Sequence, residues 1–319
     1  MSATDDRGLV PDPRVVPESL LVTMDTGERL NVLDWRAPTG AELPALVLVH
    51  GLSATGWIWA PIARRLHDHT RVLAPDLRGH GLSESPRTGY DLESLAYDVL
   101  TVVTAAGLGP DGDGRPVVLA GHGFGALVAG TAGVLRPGTV AGLALIDGGW
   151  EDIAEATAMD ADEMLRSLAD PPEVLASMEA YLADRRDYDP STWDADQERA
   201  ARAAVDEKYQ GRVTPVVRRF ALSGSVRAMF DYRPAAVVAA YPGPLLVAVA
   251  EAGGADDMAA RERRLALDDE LRRRASAGLP AATVRRYPGV GHNLMRYRPD
   301  ELANDVLALV TAAVPGSVS

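Results

Sequence analysis

Ten residues near the middle of the chain, Val118-Leu119-Ala120-Gly121-His122-Gly123-Phe124-Gly125-Ala126-Leu127, restrict the fold more than any other stretch. The apolar run 117–120 reads as a buried strand, and Leu127, Val128 and Leu135 then follow at helical spacing. Between the two periodicities, G-H-G-F-G leaves room only for a tight turn. A buried strand that passes through so short a turn into an apolar helix belongs to a layered α/β architecture. Gly121 and Gly125 suit a turn that brings the strand and helix backbones together.

The remaining sequence repeats the theme. Residues 20–24 and 30–35 flank Asp25-Thr26-Gly27, which reads as a hairpin turn. Leu46-Val47-Leu48-Val49 is a continuous apolar run, as expected of a strand covered on both faces, and it ends in His50-Gly51-Leu52. A helix is expected over 57–66 and a strand over 72–74, ending in Pro75-Asp76-Leu77-Arg78-Gly79-His80-Gly81. A helix over 92–105, the strand and helix around Gly123, and a strand over 140–146 follow. Buried strands alternating with helices imply a parallel sheet with right-handed crossovers. From Trp150 to about 235 no clean strand run occurs. That segment is rich in Ala, Leu, Glu, Asp and Arg and reads as a helical insertion. Its large side chains are Trp150, Met159, Met164, Met178, Tyr181, Trp193, Tyr209, Phe220, Met229 and Phe230. The α/β pattern resumes at Leu245. It continues through a charged helix (258–277), a short strand (282–287), the loop Gly289-Val290-Gly291-His292 and a last helix (301–313). The expected division is a loose arm (1–18), a core (19–149 and 236–319) and a cap (150–235).

Composition narrows the function. The net charge of −13 argues against nucleic acid and anionic membrane surfaces as partners. With no cysteine there is no thiol nucleophile, disulfide framework or thiolate metal site. The first residues lack an apolar signal segment, and no apolar run is long enough to span a bilayer, so a cytoplasmic protein is expected. A single lysine among 32 cations and abundant alanine point to a high-GC bacterial genome. No phosphate loop, dinucleotide fingerprint or metal-ligand cluster is seen, so no metal and no cofactor are implied.

The order of these parts resembles the α/β-hydrolase fold, over roughly residues 18–315. G-H-G-F-G resembles the nucleophile elbow G-x-S-x-G at a strand-to-helix turn, with Gly123 where the nucleophile stands. His50-Gly51 resembles the family's oxyanion-loop H-G. Asp76-Leu77-Arg78-Gly79-His80-Gly81-Leu82-Ser83 resembles its D-x-R-G-x-G-x-S segment, and Gly291-His292 the loop of its catalytic histidine. The resemblance implies an α/β fold with a mostly parallel central sheet, helices on both faces and a helical lid inserted after strand 6. The lidded subtype it suggests is similar to epoxide hydrolases and esterases.

It also implies roles residue by residue. In a serine member a hydroxyl attacks, a histidine takes its proton and a carboxylate orients the histidine. Gly123 leaves the nucleophile position vacant, either natively or by mutation, and no other G-x-S-x-G exists in the chain. His292 is the candidate base. The acid is open between Asp147, at the end of the sixth strand, and Glu251, after the seventh, with Asp256 and Asp257 as further choices. Gly253 falls where the family's aspartate is usual, a second departure from the pattern. The backbone N–H groups of Leu52 and Phe124 are expected to form an oxyanion hole, with His50, Gly51, His122 and Trp150 around the substrate.

The expected protein is thus an enzyme acting on a hydrophobic or aromatic small molecule by histidine acid/base chemistry without an acyl-serine, as a monomer or homodimer. Non-hydrolytic addition, elimination, cyclisation or C–C coupling in bacterial natural-product biosynthesis is included. The alternatives are a serine esterase or lactonase that has lost its hydroxyl, and a catalytically silent ligand-binding protein.

Overall fold

The computed structural model describes residues 16–208, 211–253 and 258–314. Its strands are β1 (Glu18–Thr23), β2 (Arg29–Trp35), β3 (Leu46–Val49), β4 (Val72–Pro75), β5 (Val117–His122), β6 (Val140–Ile146), β7 (Val205–Glu207), β8 (Val213–Pro215), β9 (Leu245–Glu251) and β10 (Thr283–Pro288). Eight of them form one sheet in the order β1-β2-β4-β3-β5-β6-β9-β10. The β1–β2 and β2–β4 pairs are antiparallel and the rest parallel. The sheet is mostly parallel, as the resemblance implies. The expected arm to residue 18 is cut short, because Glu18 already pairs with Asp34 in β1; residues 1–15 lie outside the described residues.

The helices around the sheet are α1 (Ala60–Leu66), α2 (Leu92–Ala105) and α3 (Phe124–Leu135). Then come α4 (Ile153–Thr157), α5 (Ala161–Ser167), α6 (Met178–Tyr188), α7 (Ala195–Ala203), α8 (Arg219–Asp231) and α9 (Ala235–Val238). The last three are α10 (Met258–Ser276), α11 (Leu294–Tyr297) and α12 (Pro299–Ala312). The runs of β3, β4 and β6 are apolar at every position because both faces are covered. The period of two then sorts them. Val47, Val49, Leu119, Leu143, Leu145 and Val247 pack with Val99, Leu127, Val237 and Leu267 from α2, α3, α9 and α10. Leu46, Leu48, Val118, Ala120, Ile146 and Ala248 pack on the other face with Trp59, Ile62, Leu302 and Val306. Burial of each Val or Leu contributes about 1.5–3 kcal/mol.

The segment expected to be helical throughout is not. Between α7 and α8, β7 and β8 form an antiparallel two-stranded hairpin, Val205 opposite Pro215 and Glu207 opposite Val213. Three residues a strand are too few for a period of two to be read from sequence. A small cluster of its own around Tyr181, Val205 and Val213 holds this segment together, and a second joins its Val217 and Ala221 to Tyr90 in the stretch before α2. It is bolted to the sheet layer by ion pairing of Arg64 in α1 with Asp196 in α7. Arg296 of α11 adds a bond to the Asp189 carbonyl at 2.7 Å.

Parallel register brings the functional ends of the strands level. Val49 is paired with Gly121, Gly121 with Leu145, His122 with Ile146, and Ile146 with Ala248. Whatever follows Val49, His122 and Ile146 therefore gathers at one edge of the sheet.

Candidate active site

The turn at that edge is as tight as the glycine pattern requires. A Cβ on Gly121 would lie 2.1 Å from the Gly125 carbonyl oxygen, and one on Gly125 would lie 2.2 Å from that of Val49. Both distances are impossible for real atoms, so the strand-to-helix crossing admits only glycine at these two places. Gly123, the N-cap of α3, adopts φ +53°, ψ −116°, a left-handed conformation that glycine accepts without strain.

His292 faces this apex. A Cβ built on Gly123 would sit 3.0 Å from His292 Nε2 and 3.2 Å from Cε1. Behind the ring, Nδ1–H donates to Asp147 Oδ2 at 2.7 Å. Because Nδ1 gives its proton to the carboxylate, Nε2 carries the lone pair on the Gly123 side. Asp147 follows β6 directly, is 4% exposed and has φ +46°. Left-handed backbone is uncommon for any residue but glycine, and Asp is among those that tolerate it. Its other oxygen, Oδ1, accepts the Ala250 N–H at 2.9 Å and Arg263 Nη2–H at 2.9 Å. Burial alone would raise this carboxyl. The His292 hydrogen bond, the Arg263 charge and the Ala250 N–H outweigh it and hold Asp147 below the ordinary carboxylate range.

The competing carboxylates are placed elsewhere. Glu251, at the end of β9, pairs with Arg286 at 3.0 Å and with Arg264, not with His292. The parallel β9–β10 register sets Glu251 beside Pro288. Asp256 and Asp257 lie outside the described residues.

Three of the residues expected around the substrate are buried in the scaffold. His50 is fully buried; its Nδ1–H donates to the Gly51 carbonyl at 2.8 Å and its Nε2 accepts the Leu77 N–H at 3.0 Å. Burial lowers its pKa to about 4. His122 is buried against His292, ring centroids 4.2 Å apart, and its Nε2–H donates to the His292 carbonyl at 3.0 Å. Burial, with the neighbouring His292 adding to it, lowers its pKa to about 3, so this ring is a neutral brace for the histidine loop. Trp150 is buried in the core with the Arg263 guanidinium 5.3 Å from its ring. Arg78, grasping Asp98 through two 2.6 Å bonds, fixes the loop after β4. Leu52 follows His50-Gly51 in the turn after β3. Phe124 opens α3, where helix geometry leaves its N–H without an intrahelical acceptor.

A cavity of about 1310 Å³ opens beside these groups. Leu52, Ser53 and Thr55 line it, as does Asn293, the chain neighbour of His292. The lining is mixed. Of the large side chains of residues 150–235 named above, Tyr181 and Trp193 face the cavity together with Leu165, Leu168 and Leu222, and Arg185, Arg218, Arg219 and Arg296 line it with Asp170, Asp184 and Asp187. Met178 and Met229 pack into clusters instead, because α6 and α8 turn those faces inward. Met159 is exposed, and Tyr209 lies outside the described residues. Among the described residues no group of three or more His, Cys, Asp or Glu is placed to hold a metal. No described helix is long and apolar enough to cross a membrane.

Sequence reasoning missed Arg263 and the charged cavity lining. Arg263 sits in a helix whose many charges look like an ordinary solvated face, and nothing local ties it to Asp147, 116 positions earlier.

Comparison with known proteins agrees with the fold. Residues 46–305 match a family described as the alpha/beta hydrolase family. Over 190 residues, 58% of this chain and 63% of the relative, the chain is 28% identical to a 2-(acetamidomethylene)succinate hydrolase of Mesorhizobium japonicum. Over 185 residues, 55% of this chain and 64% of the relative, it is 34% identical to lipase LipV of Mycobacterium tuberculosis. The chain thus matches less than two thirds of the length of either. Among solved structures, an E-2-(acetamidomethylene)succinate hydrolase superposes with a TM-score of 0.74 at 22% identity, covering 93% of this chain and all of that one.

Proposed function

The chain belongs to the alpha/beta hydrolase family, and from that premise we propose an enzyme that uses a His292–Asp147 acid/base pair without a serine nucleophile. The observation that carries this reading is the geometry at Gly123. His292 Nε2 looks at the place where a side chain would begin, 3.0 Å away, and glycine puts no side chain there. A water molecule, or an acidic position of the substrate, then takes the place of a serine hydroxyl. His292 removes its proton, Asp147 stabilises the imidazolium through the 2.7 Å bond, and the N–H groups of Leu52 and Phe124 hold the oxygen that becomes negative. General-base hydrolysis fits this scheme, and so do addition, elimination and cyclisation. The mixed cavity lining favours an amphiphilic small molecule, with an apolar body against Leu52, Tyr181 and Trp193 and a polar or anionic end toward the arginines. Residues 150–235 serve as its lid.

A second reading has its own support: a serine hydrolase whose hydroxyl has been lost. Gly123 keeps the positive φ and the Cβ direction of a nucleophile elbow, although glycine needs neither.

The test is single-turnover kinetics and equilibrium binding with activated esters, lactones and amidomethylene diacids, on the parent protein and three variants. His292→Ala is expected to slow the reaction by about 10²–10⁴-fold with affinity nearly intact, because proton transfer acts in the transition state. Asp147→Asn should move the rate the same way, less than additively with the histidine loss, and Glu251→Gln should leave it unchanged. Parent-like turnover by His292→Ala removes the acid/base reading. Tight binding with no turnover of any compound by the parent makes the chain a ligand-binding protein.

A further inference from the structure

Resting on that reading of the site, we propose that Arg263 is its third member, a positioning residue that locks the Asp147 carboxylate and sets how strongly that carboxylate draws a proton onto His292. The two oxygens of Asp147 are divided between partners. Oδ2 takes the histidine, and Oδ1 takes the Ala250 N–H and Arg263 Nη2–H, both at 2.9 Å. The guanidinium is itself fixed. Its Nε lies 2.9 Å from Glu151 Oε1, and its plane lies over Trp150. Asp147 and Glu151 are nearly buried, and the arginine side chain keeps 28% of its exposure. A planar, permanently charged fork between two carboxylates holds both in one orientation. With Oδ1 tied from two sides, the carboxylate cannot rotate about its Cβ–Cγ bond, and Oδ2 stays in line with Nδ1.

The charge follows from the same contacts. The titratable groups facing the imidazole are Asp147 from the end of β6 and His122 from β5, with His50 behind it. Glu151 and Arg263 act behind Asp147. His50 and His122 are neutral, as shown above. Arg263 is thus the cation that offsets Asp147, and without it two carboxylates would act on the histidine together. The imidazolium would then be stabilised more, and His292 would hold its proton to higher pH. For a base this is a cost, because a base must be unprotonated to accept a proton at working pH.

A structural bolt and a tuning residue predict different results. The experiment is an NMR titration of the His292 Cε1–H signal in the full-length protein, assigned by its loss in His292→Ala, together with the Nδ1–H resonance. Arg263→Gln is expected to move the titration midpoint up and to speed exchange of the Nδ1 proton. Arg263→Lys keeps the charge without the fork. It should leave the midpoint near the parent value but still speed the exchange. Glu151→Gln frees Arg263 to act on Asp147 alone and should move the midpoint down, which also covers the case in which Arg263→Gln does not fold. Unchanged midpoints in the foldable variants overturn the proposal, even where melting temperatures fall, since a mere bolt would behave that way. This readout needs no turnover. A shifted midpoint alongside a fully active His292→Ala would leave the Arg263 link standing while removing the acid/base reading.

Discussion

At Gly123 the presence or absence of one hydroxymethyl group separates the two proposed chemistries. The Asp147 carboxylate stands behind His292, so the absence of an aspartate at position 253 does not leave the histidine unsupported. Gly123→Ser would therefore complete a Ser-His-Asp set, contrary to what the family pattern after the seventh strand suggests. The new Cβ would begin 3.0 Å from Nε2, a few tenths of an ångström too close. The imidazole, whose side chain is 55% exposed, has room to retreat. The serine must also adopt φ +53°, at a cost of about 1–3 kcal/mol. The variant is expected to melt below the parent and to react covalently with a fluorophosphonate probe. Neither the parent nor Gly123→Ser with His292→Ala should be labelled. An unlabelled Gly123→Ser that binds ligand as the parent does would show that Nε2 does not activate a group at the elbow.

At the scale of elements, the crossing of β5 into α3 is the least negotiable part of the fold. Gly125→Ala would drive a methyl group into the Val49 carbonyl, in backbone that cannot move without separating β3 from β5. A loss of at least about 3 kcal/mol, read from the urea midpoint or as insoluble protein, is expected, in the range of overpacked cores. Gly138→Ala, where a Cβ meets nothing within 4 Å, should be neutral or slightly stabilising. Equal effects of the two substitutions would remove the steric argument. These features were legible in the sequence for a physical reason: continuous apolar runs mark strands covered on both faces, and glycine is the one residue that tolerates backbone contact. Asp147 was legible as one of two carboxylates at strand ends, but the choice between it and Glu251 was not. That choice depends on which strands are neighbours and on Arg286 occupying Glu251. The β7–β8 hairpin, the charged cavity wall and Arg263 were illegible. The first is too short to show a period, and the others depend on which side of a charged helix faces inward.

For the whole molecule, three of the six histidines carry the acid response of the fold. His50, His80 and His122 are buried, and burial is the largest cause lowering their pKa values, to about 4, 3 and 3. Their bonds explain why charging is costly. Each ring gives its one proton to a carbonyl, that of Gly51, Arg78 or His292. A second proton would break the Leu77 bond to His50, or sit without a partner on His80 Nε2 or His122 Nδ1. In the unfolded chain all three take up protons near pH 6.5. Below that pH the unfolded state binds more protons than the folded state, so stability falls as pH falls, by up to about 1.4 kcal/mol per pH unit for each histidine. The depressed Asp147 carboxyl contributes in the same sense. Its share is present above the ordinary carboxylate value and is lost only on acidification below it. Asp76 and Asp98, raised by burial, act in the opposite sense near the carboxylate range. Relief of the −13 net charge also comes mainly there, because exposed carboxylates titrate near pH 4. The window from about pH 7.5 to 5.5 therefore belongs to the histidines. The urea midpoint is expected to drop steadily across it, and His80→Gln should make the slope shallower by one proton of the three. A midpoint that stays flat across the window would mean that these rings take up protons as readily in the folded protein as in the unfolded chain.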